Sequence, residues 1–226
     1  MKVWQTFRTS TLTWHLHSGA YAAMVLSGGY EEAGDHGRFQ VVAGQAIFHH
    51  PFEGHINRFA RHGAVVLNLP LPSHKSSPAG VFSIRDFEAI VRVAERSFNE
   101  AAEWILEADM RKESQSADWP DALVAALEAD PFLKLSRWAE QAGLAPWDVS
   151  RGFRKVFGIS PEAFRVRVRA RKAWEAVRNR EESLASIAGR FGFADQSHMT
   201  RCVKQLTGSP PHRWRQMQID SRPAHH

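Results

Sequence analysis

The 226 residues are 43% hydrophobic, enough to bury a core in one large domain or two small ones, and they carry 29 Lys/Arg against 24 Asp/Glu for a net charge of +5. No run nears the ~20 apolar residues of a membrane span. The opening Met1–Arg8 lacks the apolar centre of a signal peptide, and the one cysteine, Cys202, excludes an intramolecular disulfide. These features predict a soluble cytoplasmic chain without membrane partners. The net charge hides an asymmetry. Residues 1–130 hold 11 Lys/Arg and 16 Asp/Glu, a balance of −5, whereas residues 131–218 hold 17 and 7, a balance of +10. A basic second half predicts a polyanionic partner.

Residues 1–72 read as strands. Trp14, Leu16 and Ser18 alternate with His15, His17 and Gly19. Ala20–Leu26 is a short apolar run that ends at the turn signal Ser27-Gly-Gly, and residues 39–42, 46–48 and 64–69 are further candidates between glycines. Many short strands with glycine turns predict a small sandwich or barrel. Seven of the twelve histidines fall between His15 and His62. Alternating histidines place the imidazoles of His15 and His17 on one face, about 7 Å apart by strand rise. With His55 as a third donor they could share a divalent ion, or they could line a ligand pocket with Tyr21. Glu31, Glu32 and Asp35 read as solvated charge on an exposed hairpin, with supply of a carboxylate to the histidines as the second reading. His49 and His50 point to opposite faces, so at most one faces inward.

Pro70–Pro78 reads as a loop. A helix is expected from about Ser83, because Phe87, Ile90, Val91, Ala94, Phe98, Ala101, Ala102 and Ile105 recur at spacings of three and four. Its stripe can pack on the barrel, pair with a second subunit, or do both. Arg111–Asp118 reads as a linker, and Trp119-Pro-Asp opens a short helix.

From Leu135 to Arg215 one pattern occurs twice. Ala139-Glu-Gln-Ala-Gly143-Leu144 matches Ala188-Gly-Arg-Phe-Gly192-Phe193, 49 residues on, and Arg154–Pro161 matches Lys204–Pro211, 50 residues on. Each copy reads as helix, tight turn, helix, with a small alanine where helices cross and a glycine for the turn. The second helix of each copy starts near Pro146 or Asp195, and Gly158 and Gly208 are C-terminal stops. This is the layout of tandem helix-turn-helix units. Pro161 to Asn179, 19 residues, would make a helix of about 28 Å at 1.5 Å per residue. That suits a strut between grooves that recur about every 34 Å. In the first recognition helix Trp147, Ser150, Arg151 and Arg154 share a face, with Val149, Phe153, Val156 and Phe157 turned to the core. In the second, Gln196, Ser197, His198, Thr200 and Arg201 are the DNA candidates, with Met199 and Val203 in the core. Arg151 can contact guanine with two hydrogen bonds, and Ser197 and Thr200 suit phosphate. Along the strut, Arg165, Arg167, Arg171 and Lys172 are expected in solvent or on phosphate, and Arg169 in an internal ion pair.

These residues resemble a known family. Ser150-Arg-Gly-Phe-Arg-Lys155, Gly158-Ile-Ser-Pro161, Ile187-Ala188, Gly192-Phe-Ala-Asp-Gln-Ser197 and Gly208-Ser-Pro-Pro-His-Arg-Trp-Arg215 look like the DNA-binding domain of the AraC/XylS bacterial transcription regulators, over roughly Ala122 to Arg215. Val203 departs from it, standing where the family often has phenylalanine. The first part resembles a cupin jelly roll, whose pattern is His-x-His, a glutamate a few residues on, and a later histidine. His15, His17 and His55 take the histidine places, and the glutamate place falls near Tyr21. The resemblance implies an α+β multidomain chain: a cupin-like sensor or dimerisation barrel over 1–75, a helical connector and linker over 76–118, tandem helix-turn-helix units over 119–218, and a flexible tail over 219–226. It implies double-stranded DNA, a second copy of the chain, the transcription machinery and a small-molecule effector as partners. The alternatives are a metal-dependent cupin enzyme with a DNA-binding appendage and a weakly specific architectural DNA binder. The chain has no Gly-x-Ser-x-Gly elbow and no phosphate-binding glycine loop.

Overall fold

The computed structural model describes residues 4–72, 75–113, 118–130, 132–178 and 182–220. The chain divides into two compact units, Met1–Ala122 with Val156–Gly158, and Leu123–Lys155 with Ile159–His226. No helix among the described residues is long and apolar enough to cross a membrane.

The first unit is built on eight antiparallel strands: β1 (Trp4–Phe7), β2 (Thr11–Leu16), β3 (Tyr21–Gly34), β4 (Gly37–Val42), β5 (Gln45–His49), β6 (Gly54–Pro70), β7 (Gly80–Ile84) and β8 (Met110–Lys112). The hydrogen-bonded order is β1-β6-β3-β5-β7-β8, with β2 on β6 and β4 on β3. The expected closed barrel is therefore an open sheet, whose ladder has two ends. Long β3 and β6 do most of the joining, pairing from Tyr21↔Pro70 to Gly34↔His55 with two register shifts.

Strand alternation sorts the side chains of β3 to two faces. Ala22 and Met24 join Phe48, Leu67 and Leu69 in a core that also holds Ile90, Val93, Ala101 and Ile105 of the helices α1 (Phe87–Ala94) and α2 (Phe98–Glu107). Tyr21, Ala23 and Val25 belong to a second core with Tyr30, Ile47, Phe59 and Val66. Both faces are buried, which is why Ala20–Leu26 reads as a continuous apolar run. The single helix expected from Ser83 is instead a strand followed by two helices. Ser83 lies in β7, paired with β5 and β8, and the break falls at Ser97, whose hydroxyl caps α2 by accepting from the Glu100 N–H (3.2 Å). Arg111 and Lys112 of the expected linker belong to strand β8; its residues 114–117, like Asn179 and residues 221–226 of the tail, lie outside the described residues.

The second unit is helical. It comprises α3 (Trp119–Ala129, counted from Leu123 on), α4 (Leu135–Gln141), α5 (Pro146–Phe157), α6 (Pro161–Arg178), α7 (Leu184–Arg190), α8 (Gln196–Thr207) and α9 (Pro211–Asp220). The repeat in sequence is a repeat in structure. Ala139 and Ala188 are buried, and their carbonyls accept from the N–H of Leu144 and of Phe193, each at 2.9 Å. Between them Gly143 (φ 67°) and Gly192 (φ 69°) take the left-handed conformation. Val149, Phe153, Phe164, Val168, Trp174, Ile187, Met199 and Val203 are buried, so one apolar layer runs under both turns.

The two glycines give a graded prediction. Nothing lies within 4 Å of a Cβ at Gly143, whereas one at Gly192 would stand 2.8 Å from Phe132 Cε1 and 3.1 Å from Arg169 Nη2. Gly143→Ala should lose about 1–2 kcal/mol, the left-handed penalty alone, and Gly192→Ala more. Urea unfolding that ranks Gly143→Ala as the more damaging would overturn this assignment.

Candidate functional site

The outer surface of the helical unit presents the first candidate site. In α5, Ser150, Arg151 and Arg154 are exposed beside the buried Val149 and Phe153. Trp147 is 61% exposed. The Arg151 guanidinium lies over its ring, 4.5 Å from the centroid, and also meets Asp148 Oδ1 at 3.2 Å. The stack and the carboxylate restrict a long side chain on an open face, so less rotamer entropy remains to be lost on binding. In α8, Gln196, Ser197 and Arg201 are exposed, and Thr200 and His198 are half-buried. Asp195 caps α8 by accepting from the His198 N–H (2.7 Å), and the His198 ring meets Phe193 edge-on at 5.3 Å. His198 is thus partly a packing residue.

Helix α6 departs from the sequence expectation. Arg165 donates to the Leu133 carbonyl (2.8 Å) and pairs with Glu162 (2.7 Å). Arg171 is buried and pairs with Glu128 (2.7 Å) and Glu175 (3.1 Å). Lys172 pairs with Glu128 at 3.6 Å. These side chains brace the unit instead of facing solvent. Arg169 is internal as expected, but among the described residues its contacts are with a carbonyl and a ring and not with a carboxylate: its Nε donates to the Phe191 carbonyl (2.6 Å) and its guanidinium lies 4.9 Å from the Phe193 ring centroid. Both partners belong to the second turn. Arg169→Ala should therefore lower stability by about 1.5–3 kcal/mol, the range for a charged hydrogen bond, whereas Trp147→Ala should stay within about 0.5 kcal/mol. Thermal unfolding of the two variants measures the contrast, and equal effects would refute the bracing role.

The second candidate site is a cavity of about 270 Å³ in the sheet unit. Strand register assembles it. Tyr21 pairs across to His49, Glu32 to Asn57, and His15 to His55. The sequence-predicted His15, His17, Tyr21 and His55 all line it. Ring centroids stand 4.3 Å apart for His15 and His55, 5.3 Å for His15 and His17, and 5.7 Å for His17 and His55. The Tyr21 hydroxyl is 3.4 Å from His55 Nε2. His15 Nδ1 donates to the Thr13 carbonyl (2.8 Å), which leaves the Nε2 lone pair of the neutral ring available.

Glu32 and His49 also line the cavity. Glu32, expected on an exposed hairpin, is buried and accepts from the Asn57 amide (2.9 Å); Asp35 is buried too. His49 is the inward member of the His49–His50 pair and stacks on Tyr21, centroids 4.4 Å apart. Its phase with Ile47 was the available signal. The missing carboxylate thus comes from Glu32 and not from near Tyr21. Burial dominates the charge states. It pushes the Glu32 carboxyl up to about 8 against the Asn57 hydrogen bond, and pulls the His49 imidazole down to about 3 against the attraction of Glu53. Burial also drives His55 well below its ordinary range. Burial thus works against charge on Glu32, His49 and His55. Donor atoms of His15, His17 and His55 lie within 4.8 Å of one another, as do those of Glu32, His49 and His55. A third grouping, His36, His50 and Glu53, is hydrogen-bonded within itself at 2.7 and 3.0 Å.

Residues 138–217 match the family described as a helix-turn-helix domain. The chain is similar to the multiple antibiotic resistance protein MarA of Escherichia coli, 34% identical over 98 residues that span 41% of this chain and 75% of that protein. It is similar to the HTH-type transcriptional regulator ExsA of Pseudomonas aeruginosa, 30% identical over 39% of this chain and 32% of that one. The DNA-binding domain of AdpA, solved with a target DNA, aligns over 48% of this chain and all of its own, at 24% identity and a TM-score of 0.43. The paired turns, their shared hydrogen bond and the identity to MarA across most of its length agree: the chain belongs to the AraC/XylS family of DNA-binding transcription regulators.

Proposed function

We propose that this chain is a cytoplasmic, sequence-specific regulator that sets α5 and α8 into two adjacent segments of the major groove. The observation that carries the reading is the pair of matched turns, each followed by a helix whose outer face is polar and exposed while its inner face is sealed in one core. Helix α6, 18 residues long, spans about 27 Å at 1.5 Å per residue, a length suited to holding two such helices one groove repeat apart. On α5, Trp147, Ser150, Arg151 and Arg154 face the duplex, with Arg151 reading a guanine edge. On α8, Gln196 and Arg201 read bases, and Ser197, His198 and Thr200 meet phosphate. The sheet unit acts as a cupin-like sensor or dimeriser, taking a small ligand between His15, His17, Tyr21 and His55 or pairing two copies so that the transcription machinery is engaged from a fixed geometry. A weakly specific architectural role would leave the restrained Arg151–Trp147 pair without a purpose.

Selecting duplexes from a random library with the full chain should return one sharp motif. Arg151→Ala should erode the preference at a single G·C position by about 1–3 kcal/mol, roughly fivefold or more, while leaving the rest of the motif. A library that yields no enriched sequence would overturn the specific reading in favour of the architectural one.

A further inference from the structure

The cavity contains a feature that the sensor reading does not explain. His49 and His55 are each at least 96% buried, and His49 Nε2 and His55 Nδ1 have no hydrogen-bond partner among the described residues. Buried polar nitrogens are nearly always satisfied, and an unsatisfied one is destabilising. Water can relieve such a nitrogen, but two of them beside a buried carboxylate suit an ion better. Glu32 Oε2 stands 3.6 Å from His49 Nε2. That is too long for a good hydrogen bond, yet near the edge of about 3.3 Å between neighbouring ligands of a tetrahedral ion with ~2.0 Å bonds.

We propose that Glu32, His49 and His55 form a site for a divalent transition-metal ion of the zinc class, and that this ion is the small ligand the sheet unit senses. The second clause rests on the regulator reading above; the first stands without it. Two nitrogens and one oxygen are the donor types such an ion prefers over magnesium or calcium. Glu32 adds the carboxylate oxygen that the imidazoles lack, and His49 and His55 add the two unpartnered buried nitrogens, which favours this inner set over His15 and His17. Those two sit at the half-exposed side of the same histidine, His55, where His15 Nε2 can capture an arriving ion or complete its coordination. The Asn57 amide on Glu32 and the Tyr21 ring on His49 supply the outer contacts that orient ligands. The self-bonded His36–His50–Glu53 grouping offers no such open valence and is not part of the site.

The test is direct titration of the chelator-stripped full chain with Zn²⁺ against a chromophoric competitor, with Co²⁺ absorption to report the ligand field. One equivalent should bind, and its Co²⁺ bands should indicate four or five nitrogen and oxygen ligands. Glu32→Gln and His49→Ala should each weaken binding at least tenfold, while His36→Ala should not; far-UV dichroism confirms that each variant is folded. Zn²⁺ should also raise the unfolding temperature of the wild type and lose that effect in Glu32→Gln, since only a native-state site stabilises by mass action. Absence of stoichiometric binding would overturn the site. So would binding that survives both inner-site substitutions and disappears on removing the terminal His225 and His226. If Zn²⁺ binds as described but leaves the affinity for the selected duplex unchanged, the site stands and its sensing role falls. Failure to select any duplex would instead sink the regulator reading and leave the metal result untouched.

Discussion

The inward turn of the basic side chains on α6 underlies the helical unit. A helix rich in arginine would ordinarily spend its charge on solvent. Here Arg165, Arg169 and Arg171 end on a carbonyl, on a carbonyl and an aromatic ring, and on two carboxylates. Arg169 is the informative one, because the carbonyl it holds belongs to Phe191, one residue before the turn glycine of the second helix-turn-helix. The strut therefore fixes the turn, and the turn fixes the direction in which α8 leaves. Two recognition helices are useful only if their separation and tilt are set before DNA arrives, and these contacts set them without drawing on the exposed faces.

The sheet unit solves a different problem. Its central strands bury both faces, one against α1 and α2 and one around a cavity. The cavity face changes phase along β6, from His55, Asn57 and Phe59 to Val66 and Asn68, and the register shifts against β3 absorb that change. Most polar groups collected this way come from strands remote in sequence, and His17, just past the end of β2, is carried by the connection to β3.

How much of this could be read in advance depended on how local the cause was. The tandem turns were legible because an alanine and a glycine act within six positions of one another, and repetition of the pair and of the later stop glycine made the pattern hard to reach by chance. Trp147, Ser150, Arg151 and Arg154 followed from helical spacing alone, and the structure puts them on one exposed face. His15, His17 and His55 were found from strand alternation and the resemblance, and they do come together. Glu32 reads first as hairpin charge because of Glu31-Glu-x-x-Asp35, and only second as a carboxylate for the histidines. Its burial depends on pairing with Asn57, 25 residues away, and no local rule contains that register. The break between α1 and α2 was hidden by an apolar stripe that continues in phase across Ser97. Arg165, Arg171 and Lys172 depart from the solvent expectation because a partner of each, the Leu133 carbonyl or Glu128, lies outside the helix that carries them.

The inward arginines also bear on how the molecule meets a polyanion. The second half holds 17 basic residues, and a count of that kind suggests a dense positive surface. Several of them are occupied with protein partners, among them Arg165, Arg169, Arg171 and Lys172 on α6 and Arg190 and Arg215 beyond it. Only the remainder can displace condensed cations from a duplex, and the dependence of affinity on ionic strength scales with that smaller number. A regulator built this way leans less on counterion release and more on the fit of its helices to base edges. Its discrimination among sites should then hold at salt concentrations that strip a protein bound by charge alone.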